Sequence, residues 1–203
     1  MRGGPRHDYA GRVPERDDAA LMADAQRGSV AAFEELFARY YDGVYHYARS
    51  LLGDDGVAAD VAQETFLRAH RSRDRFDPGR GTFRAWLFAI AANRARTHAP
   101  RVHRDELPLE HARDVVLDDA AGDAFFKSVR RELVAAAVAQ LAPELREVIA
   151  LKYQNDLSFS EVASVLGVNA STVKMRAVRG RELLARKLAP LADRSRARAE
   201  ESS

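Results

Sequence analysis

Positive charge is segregated along this chain, and it offers the first chemistry to consider. From Ser171 to Leu188 there are six basic residues and one acidic residue, Glu182. From Arg80 to Arg104 there are six arginines, with His98 and His103 among them, and no acid. Dense one-sided cations suit phosphate backbones, which supply the sequence-independent part of nucleic-acid affinity. Other chemistries find less support. The absence of cysteine removes disulfides, zinc–thiolate sites and thiol nucleophiles. His98, His103 and His111 fit no usual ligand spacing for a metal. Asp118, Asp119 and Asp123 lack the glycine and terminal glutamate of a calcium loop. No glycine-rich phosphate motif and no nucleophile–base arrangement stands out. The chain therefore reads as a protein that is not an enzyme, with no cofactor, no metal and no small-molecule substrate.

The elements that must carry these charges are helices. Apolar residues recur at three- and four-residue steps, and no period-two alternation is sustained. Helices are predicted over about 17–27, from Ser29 to about Leu52, to about Arg75, and from Thr82 to about His98. Leu21, Met22 and Ala25 face inward on the first, and Phe33, Leu36, Phe37, Tyr40, Val44 and Tyr47 on the second. Ser29 and Thr82 can cap their helices, Gly53 to Asp55 joins the second to the third, and Asp77, Pro78 and Gly79 make a turn. Between Asp105 and Asp123 seven acids meet one base, Arg113, and periodicity weakens. That stretch reads as a linker. A second helical block follows, with helices over Phe125–Gln140, from Pro143, from Ser158 to Gly167, and from Ser171 to about Leu188 before Pro190. Ser158 and Glu161 have capping-box spacing.

The chain is thus predicted to be all-α, two small helical bundles joined by an acidic linker. Its parts are a flexible leader at 1–16, a first bundle at 17–100, the linker at 101–123, a second bundle at 124–190 and a flexible tail at 191–203. The 203 residues, 46% hydrophobic and 31% charged, give each bundle a modest core. The net charge is only +2, so the location of charge carries the information, not its sum. Nothing approaches the roughly 18–20 apolar residues of a membrane span, and Met1 to Arg16 lacks the apolar stretch of a secretory signal. A cytoplasmic location is expected.

Two stretches gain definition on a helical wheel. A helix of about eight residues, a turn at Val168 to Ala170 and a long basic helix have the spacing of a DNA-binding helix-turn-helix. At 100° per residue Val173, Ala177, Gly180, Leu184 and Leu188 share the packing side. Met175, Val178 and Arg179 lie opposite, with Lys174, Arg176 and Arg181 on the flanks. In a major groove Arg179 and its neighbours would meet base edges and the flanking cations would meet phosphates. The bland alternative is a solvated basic helix. In the Arg80–Arg104 stretch, Phe83, Leu87, Ile90 and Ala91 form the buried stripe, edged by Trp86 and Asn93 seven residues apart. A basic helix edged by an aromatic and an amide suits unstacked single strands. Trp86 taken alone reads more readily as a core tryptophan, and Asn93 as readily as a surface amide.

Several blocks resemble a known family. Asp60 to Phe66 (DVAQETF) looks like the core-binding motif of sigma region 2, and Trp86 to Asn93 (WLFAIAAN) like the helix after it. Leu141 to Val148 (LAPELREV) and Ser158 to Arg181 resemble sigma region 4. The blocks occur in the family's order over about Asp17 to Leu188. With no room for a region 3 domain in the linker and no region 1 before Asp17, the chain is similar to the extracytoplasmic-function (ECF) group of bacterial RNA polymerase sigma factors, in the sigma-70 superfamily. The resemblance implies that Asp60, Gln63 and Glu64 contact core RNA polymerase at the clamp helices of its largest subunit, with other core subunits also touched. It implies that Phe76, Arg80, Trp86, Asn93, Arg94 and Arg96 meet the melted minus-10 element, the Phe76–Thr82 loop receiving a flipped base. Ser171, Thr172, Lys174, Met175, Arg176, Val178, Arg179 and Arg181 would engage the minus-35 duplex. The linker would thread the polymerase active-site channel, and an anti-sigma factor would be a further partner. Met175 departs from the small polar residue common in the family; it can meet a thymine methyl but cannot form a bidentate hydrogen bond. Gly79, Arg80 and Gly81 make the loop unusually flexible and basic. Two rivals carry no polymerase docking: a helix-turn-helix regulator on duplex operators, and a protein-interaction bundle.

Overall fold

Local signals set the helix boundaries of the first bundle. The computed structural model describes residues 17–98 and 133–201, with side chains as far as 189. Helix α1 (Asp18–Gln26) turns its Leu21, Met22 and Ala25 inward. Helix α2 (Val30–Leu52) starts where Ser29 Oγ accepts the Ala32 N–H at 3.3 Å. It stops at Gly53, whose φ of 72° lies in the left-handed region that favours glycine. Asp54 then accepts the Val57 N–H at 2.8 Å and starts α3 (Asp55–Arg71), so one glycine and one aspartate turn the chain. Short 3-10 turns at Arg73–Arg75 and Pro78–Arg80 lead to α4 (Phe83–His98), where Thr82 Oγ1 accepts the Ala85 N–H at 3.2 Å. Leu36, Val44, Tyr47, Ala58, Val61, Leu87, Phe88 and Ala91 are buried together. Each fully buried large apolar side chain stabilises by about 1.5–3 kcal/mol. Thr65, also buried, donates to the Val61 carbonyl at 2.7 Å and so leaves no hydroxyl unpaired.

The second bundle opens with α5, described over 133–139, followed by α6 (Pro143–Ile149) with Pro143 at its first position. A π-helical turn (Ala150–Gln154) continues α6, and Asp156, at φ 54°, bends the chain away. Helix α7 (Phe159–Leu166) carries the capping box and ends at Gly167, φ 67°. Helix α8 (Ala170–Glu201) departs from the sequence expectation at both ends. Its cap is Asn169, not Ser171: Asn169 Oδ1 accepts the Thr172 N–H and the Ser171 hydroxyl, each at 2.7 Å. A cap must stand three residues before the N–H it satisfies, and Asn169 does. Nor does Pro190 end the helix, which runs on as far as Glu201, into the stretch expected as a flexible tail. Proline costs one backbone hydrogen bond there, and the sequence on either side is rich in good helix formers, Ala, Leu, Arg and Glu. No strand occurs among the described residues. The leader at 1–16 and the acidic linker at 101–123 lie outside them.

The bundles pack on each other. Helix α4 lies against α7, and α2 lies against α6 and the π-helical turn. Val148, Leu151, Leu157 and Val162 of the second bundle join the core of the first.

Candidate nucleic-acid and polymerase interfaces

The helix-turn-helix is held by polar bonds at its entry and by apolar packing beneath. The Ser158 N–H donates to Glu161 Oε2 at 2.7 Å, and the Glu161 N–H donates to Ser158 Oγ at 3.2 Å. Burial pushes the Glu161 carboxyl up, but hydrogen bonds from Ser158 and Thr82 more than offset it and hold the group below its ordinary range. Val173, Ala177 and Gly180 of α8 face inward. A Cβ on Gly180 would lie 2.9 Å from Ile149 Cγ1, so α8 presses on α6 as closely as only glycine allows. The outer face carries Met175 (65% exposed) and Val178 (56%) among exposed Lys174, Arg179 and Arg181. Arg176 and Thr172 are half-buried and Ser171 is exposed. The Arg181 guanidinium lies 5.9 Å from the centre of the Tyr153 ring, which steadies it on the flank.

Around α4 the structure sorts the candidate residues. Gln26 Nε2 donates to the Arg73 carbonyl at 2.8 Å and the Phe76 carbonyl at 3.0 Å, clamping the loop onto α1. Sequence spacing alone could not reveal that clamp, because its partners are about fifty residues away. Phe76, expected at the DNA, is only 6% exposed; its ring packs 5.5 Å from Trp86 and 6.0 Å from Phe83. It supports Trp86 from behind. Trp86 is half-buried, while Arg80, Asn93 and Arg96 are exposed. Arg94, also expected at the DNA, is turned instead to α3, where it pairs with Glu64. Arg96 Nη1 donates to Asn93 Oδ1 at 3.2 Å.

On α3, Asp60 and Gln63 point to solvent, and Leu67, one turn beyond Gln63, is 55% exposed. Phe37 of α2 is 39% exposed, its ring 4.8 Å from that of Phe66 on α3. Phe37, expected on the inward stripe of α2, stands at the edge of that stripe, and Leu67 was not singled out; a leucine one turn from Gln63 was the available signal. Glu64 is placed differently from its two companions. It faces α4, paired with Arg94 and 3.4 Å from His98 Nε2. Burial pushes its carboxyl up, yet Arg94 and then His98 outweigh this and leave it below the ordinary range.

These surfaces belong to a helical protein that carries basic residues on two separate helices, α4 and α8. Among the described residues no cluster of His, Cys, Asp and Glu could hold a metal ion. The family descriptions "Sigma-70 region 2" and "Sigma-70, region 4" match residues 36–104 and 131–184. The RNA polymerase sigma factor CarQ of Myxococcus xanthus is 34% identical over 157 residues, 77% of this chain and 89% of its own. The ECF RNA polymerase sigma factor SigW of Bacillus subtilis is 32% identical over 183 residues, 84% of this chain and 96% of its own. The solved structure of CnrH in complex with the cytosolic domain of CnrY matches with a TM-score of 0.62 at 32% identity, covering 85% of this chain and 97% of CnrH. The chain belongs to the ECF group of the sigma-70 family, the sigma factors that direct RNA polymerase to promoters.

Proposed function

We propose that this sigma factor divides its work among the three surfaces. Region 2 (17–100) docks on the clamp helices of core polymerase through Asp60 and Gln63, with Leu67 and Phe37 beside them, while Glu64 braces α3 against α4. The exposed Arg80, Trp86, Asn93 and Arg96 take up the melted minus-10 strand, and Phe76 and Arg94 hold that edge in shape. Region 4 (124–190) reads the minus-35 element as duplex. Lys174, Met175, Val178 and Arg179 face the bases, and Ser171, Thr172, Arg176 and Arg181 face the phosphates. The observation that carries this is the outer face of α8, where Met175 and Val178 stand in solvent between cations. Apolar side chains there suit thymine methyls, and cations suit the backbone. The linker at 101–123 passes through the polymerase between the two DNA contacts. CnrH, similar over most of this chain, is known in complex with the cytosolic domain of CnrY. That supports a protein partner for this chain too, an anti-sigma factor. The described residues contain no helix long and apolar enough to cross a membrane, and the protein acts in the cytoplasm, beside its polymerase.

Run-off transcription with purified core polymerase on a genomic promoter library tests the proposal. The chain should bind core and yield defined start sites. DNA binding without polymerase association would indicate an operator-binding regulator instead.

A further inference from the structure

The outer face of α8 is short of the groups that read bases by hydrogen bonds. Around the helix, at 100° per residue, the order is Lys174, Val178, Met175, Arg179, so two apolar side chains lie side by side between two cations. Met175 is 65% and Val178 56% exposed, more than any other large apolar side chain described in the second bundle. From Ser171 to Leu188 there is no asparagine or glutamine, the amides that grip adenine in two places. Ser171, one turn before Met175, already donates its hydroxyl to Asn169 Oδ1 at 2.7 Å. Glu182, one turn after Val178, can only accept, and thymine offers no donor in the major groove.

The helix cannot roll to hide the apolar pair. Val173 and Ala177 are buried on the opposite side, and a Cβ on Gly180 would meet Ile149 Cγ1 at 2.9 Å. Asn169 pins the first turn by accepting the Thr172 N–H at 2.7 Å. Met175 and Val178 are separated by about 4.5 Å along the axis, three residues at 1.5 Å each. That is close to the step of about 3.4 Å between base pairs, so the two side chains can address neighbouring pairs.

We propose that Met175 and Val178 read the C5-methyl groups of thymines in two neighbouring base pairs, so that this sigma factor selects its minus-35 element at those positions by methyl groups and not by hydrogen bonds. The proposal rests on the assignment of α8 to the minus-35 duplex. Thymine is the one standard base that carries a methyl group in the major groove. Burying that methyl against a side chain that stands in solvent removes apolar surface from water on both partners. Unbranched Met175 can follow the methyl, while β-branched Val178 presents a fixed surface. Lys174 and Arg179 reinforce the choice, because thymine O4 accepts from them and the cytosine N4 amine would oppose them donor to donor. Cytosine is therefore rejected twice, and 5-methylcytosine only once.

Start sites mapped with the full chain and core polymerase supply the minus-35 element. Each of its thymines is then replaced singly by deoxyuridine, which removes the methyl group and keeps every hydrogen-bonding group. Holoenzyme affinity is titrated at fixed salt. At two neighbouring base pairs deoxyuridine should weaken binding roughly fourfold, the effect of withdrawing one buried methyl group. Met175→Ala should abolish that loss at one of the pairs and Val178→Ala at the other, since a penalty that depends on a contact disappears with its partner. With cytosine in place of either thymine, C5 methylation should recover roughly the same fourfold. An element without thymines in neighbouring pairs, deoxyuridine that binds as tightly as thymidine, or a penalty that survives both alanine substitutions overturns the proposal and leaves the assignment of function standing. Absence of start sites from the unsubstituted chain would instead refute that assignment, and the proposal with it.

Discussion

Arg146→Leu should destabilise the second bundle by about 3 kcal/mol, a value set by charged hydrogen bonds worth about 1.5–3 kcal/mol each. Arg146 lies on α6, and its Nη2 donates to the carbonyls of Ala139 and, at 2.8 Å, Leu141. These carbonyls lie at the end of α5, where a helix leaves its last acceptors without internal partners. Nη1 reaches the Ser50 and Leu51 carbonyls at the end of α2, both at 3.4 Å, long enough to count for little. Two good bonds therefore set the gross value. Against it stands the recovered cost of burying the guanidinium, visible in a pKa that burial pushes down. Leucine restores apolar volume but leaves two carbonyls without a donor, so the net loss stays near half the gross. Arg146→Lys should recover about half of that loss, because an ammonium keeps the charge without the planar fork that serves two acceptors. Urea titration followed by circular dichroism measures both variants. A leucine variant within about 0.5 kcal/mol of wild type, the range of ordinary surface changes, would refute the assignment. Full rescue by lysine would show that charge, not geometry, matters.

Other perturbations probe the remaining contacts. Ser158→Ala removes the acceptor for the Glu161 N–H and should cost about 1 kcal/mol, read as a lower thermal midpoint; an unchanged midpoint would mean the box is idle. Because the Glu64 carboxyl is held below its ordinary range, its ionised form stabilises the α3–α4 contact above that range, and the stability is lost as pH falls through the lowered value. Denaturation midpoints should drop with acid more steeply in wild type than in Glu64→Gln, and superimposable pH curves would rule the linkage out. Arg179→Ala should weaken binding at a minus-35 duplex by about 1–3 kcal/mol if it grips a base in two places, measured by titration at fixed salt. Trp86→Ala should slow promoter opening, followed by permanganate reactivity, while duplex affinity holds; equal loss of both would place Trp86 in the core alone.

Much of the architecture is legible in local chemistry. Ser29, Gly53, Asp54, Ser158 and Gly167 mark helix ends because caps act within three residues, and each does so in the fold. The inward stripe of α8, Val173, Ala177 and Gly180, follows from helical periodicity, as does the exposure of Met175 and Val178. Less legible were choices among residues with equal local claims. Asn169 and Ser171 can both cap, and the N–H actually left free decided for Asn169. Asp60, Gln63 and Glu64 all fit one polar helix face, yet Arg94, thirty residues on, draws Glu64 inward.

By itself the chain's order of residues determined most helix ends, though not those of α8, as well as which stripes are apolar and where positive charge collects. These depend on neighbours within a turn or two. Only tertiary structure decided that Phe76 supports Trp86 from within, that Gln26 clamps the loop, and that Gly43 admits Asn155. Those outcomes depend on which distant segments meet, and periodicity along one helix does not specify the helix that will lie across it.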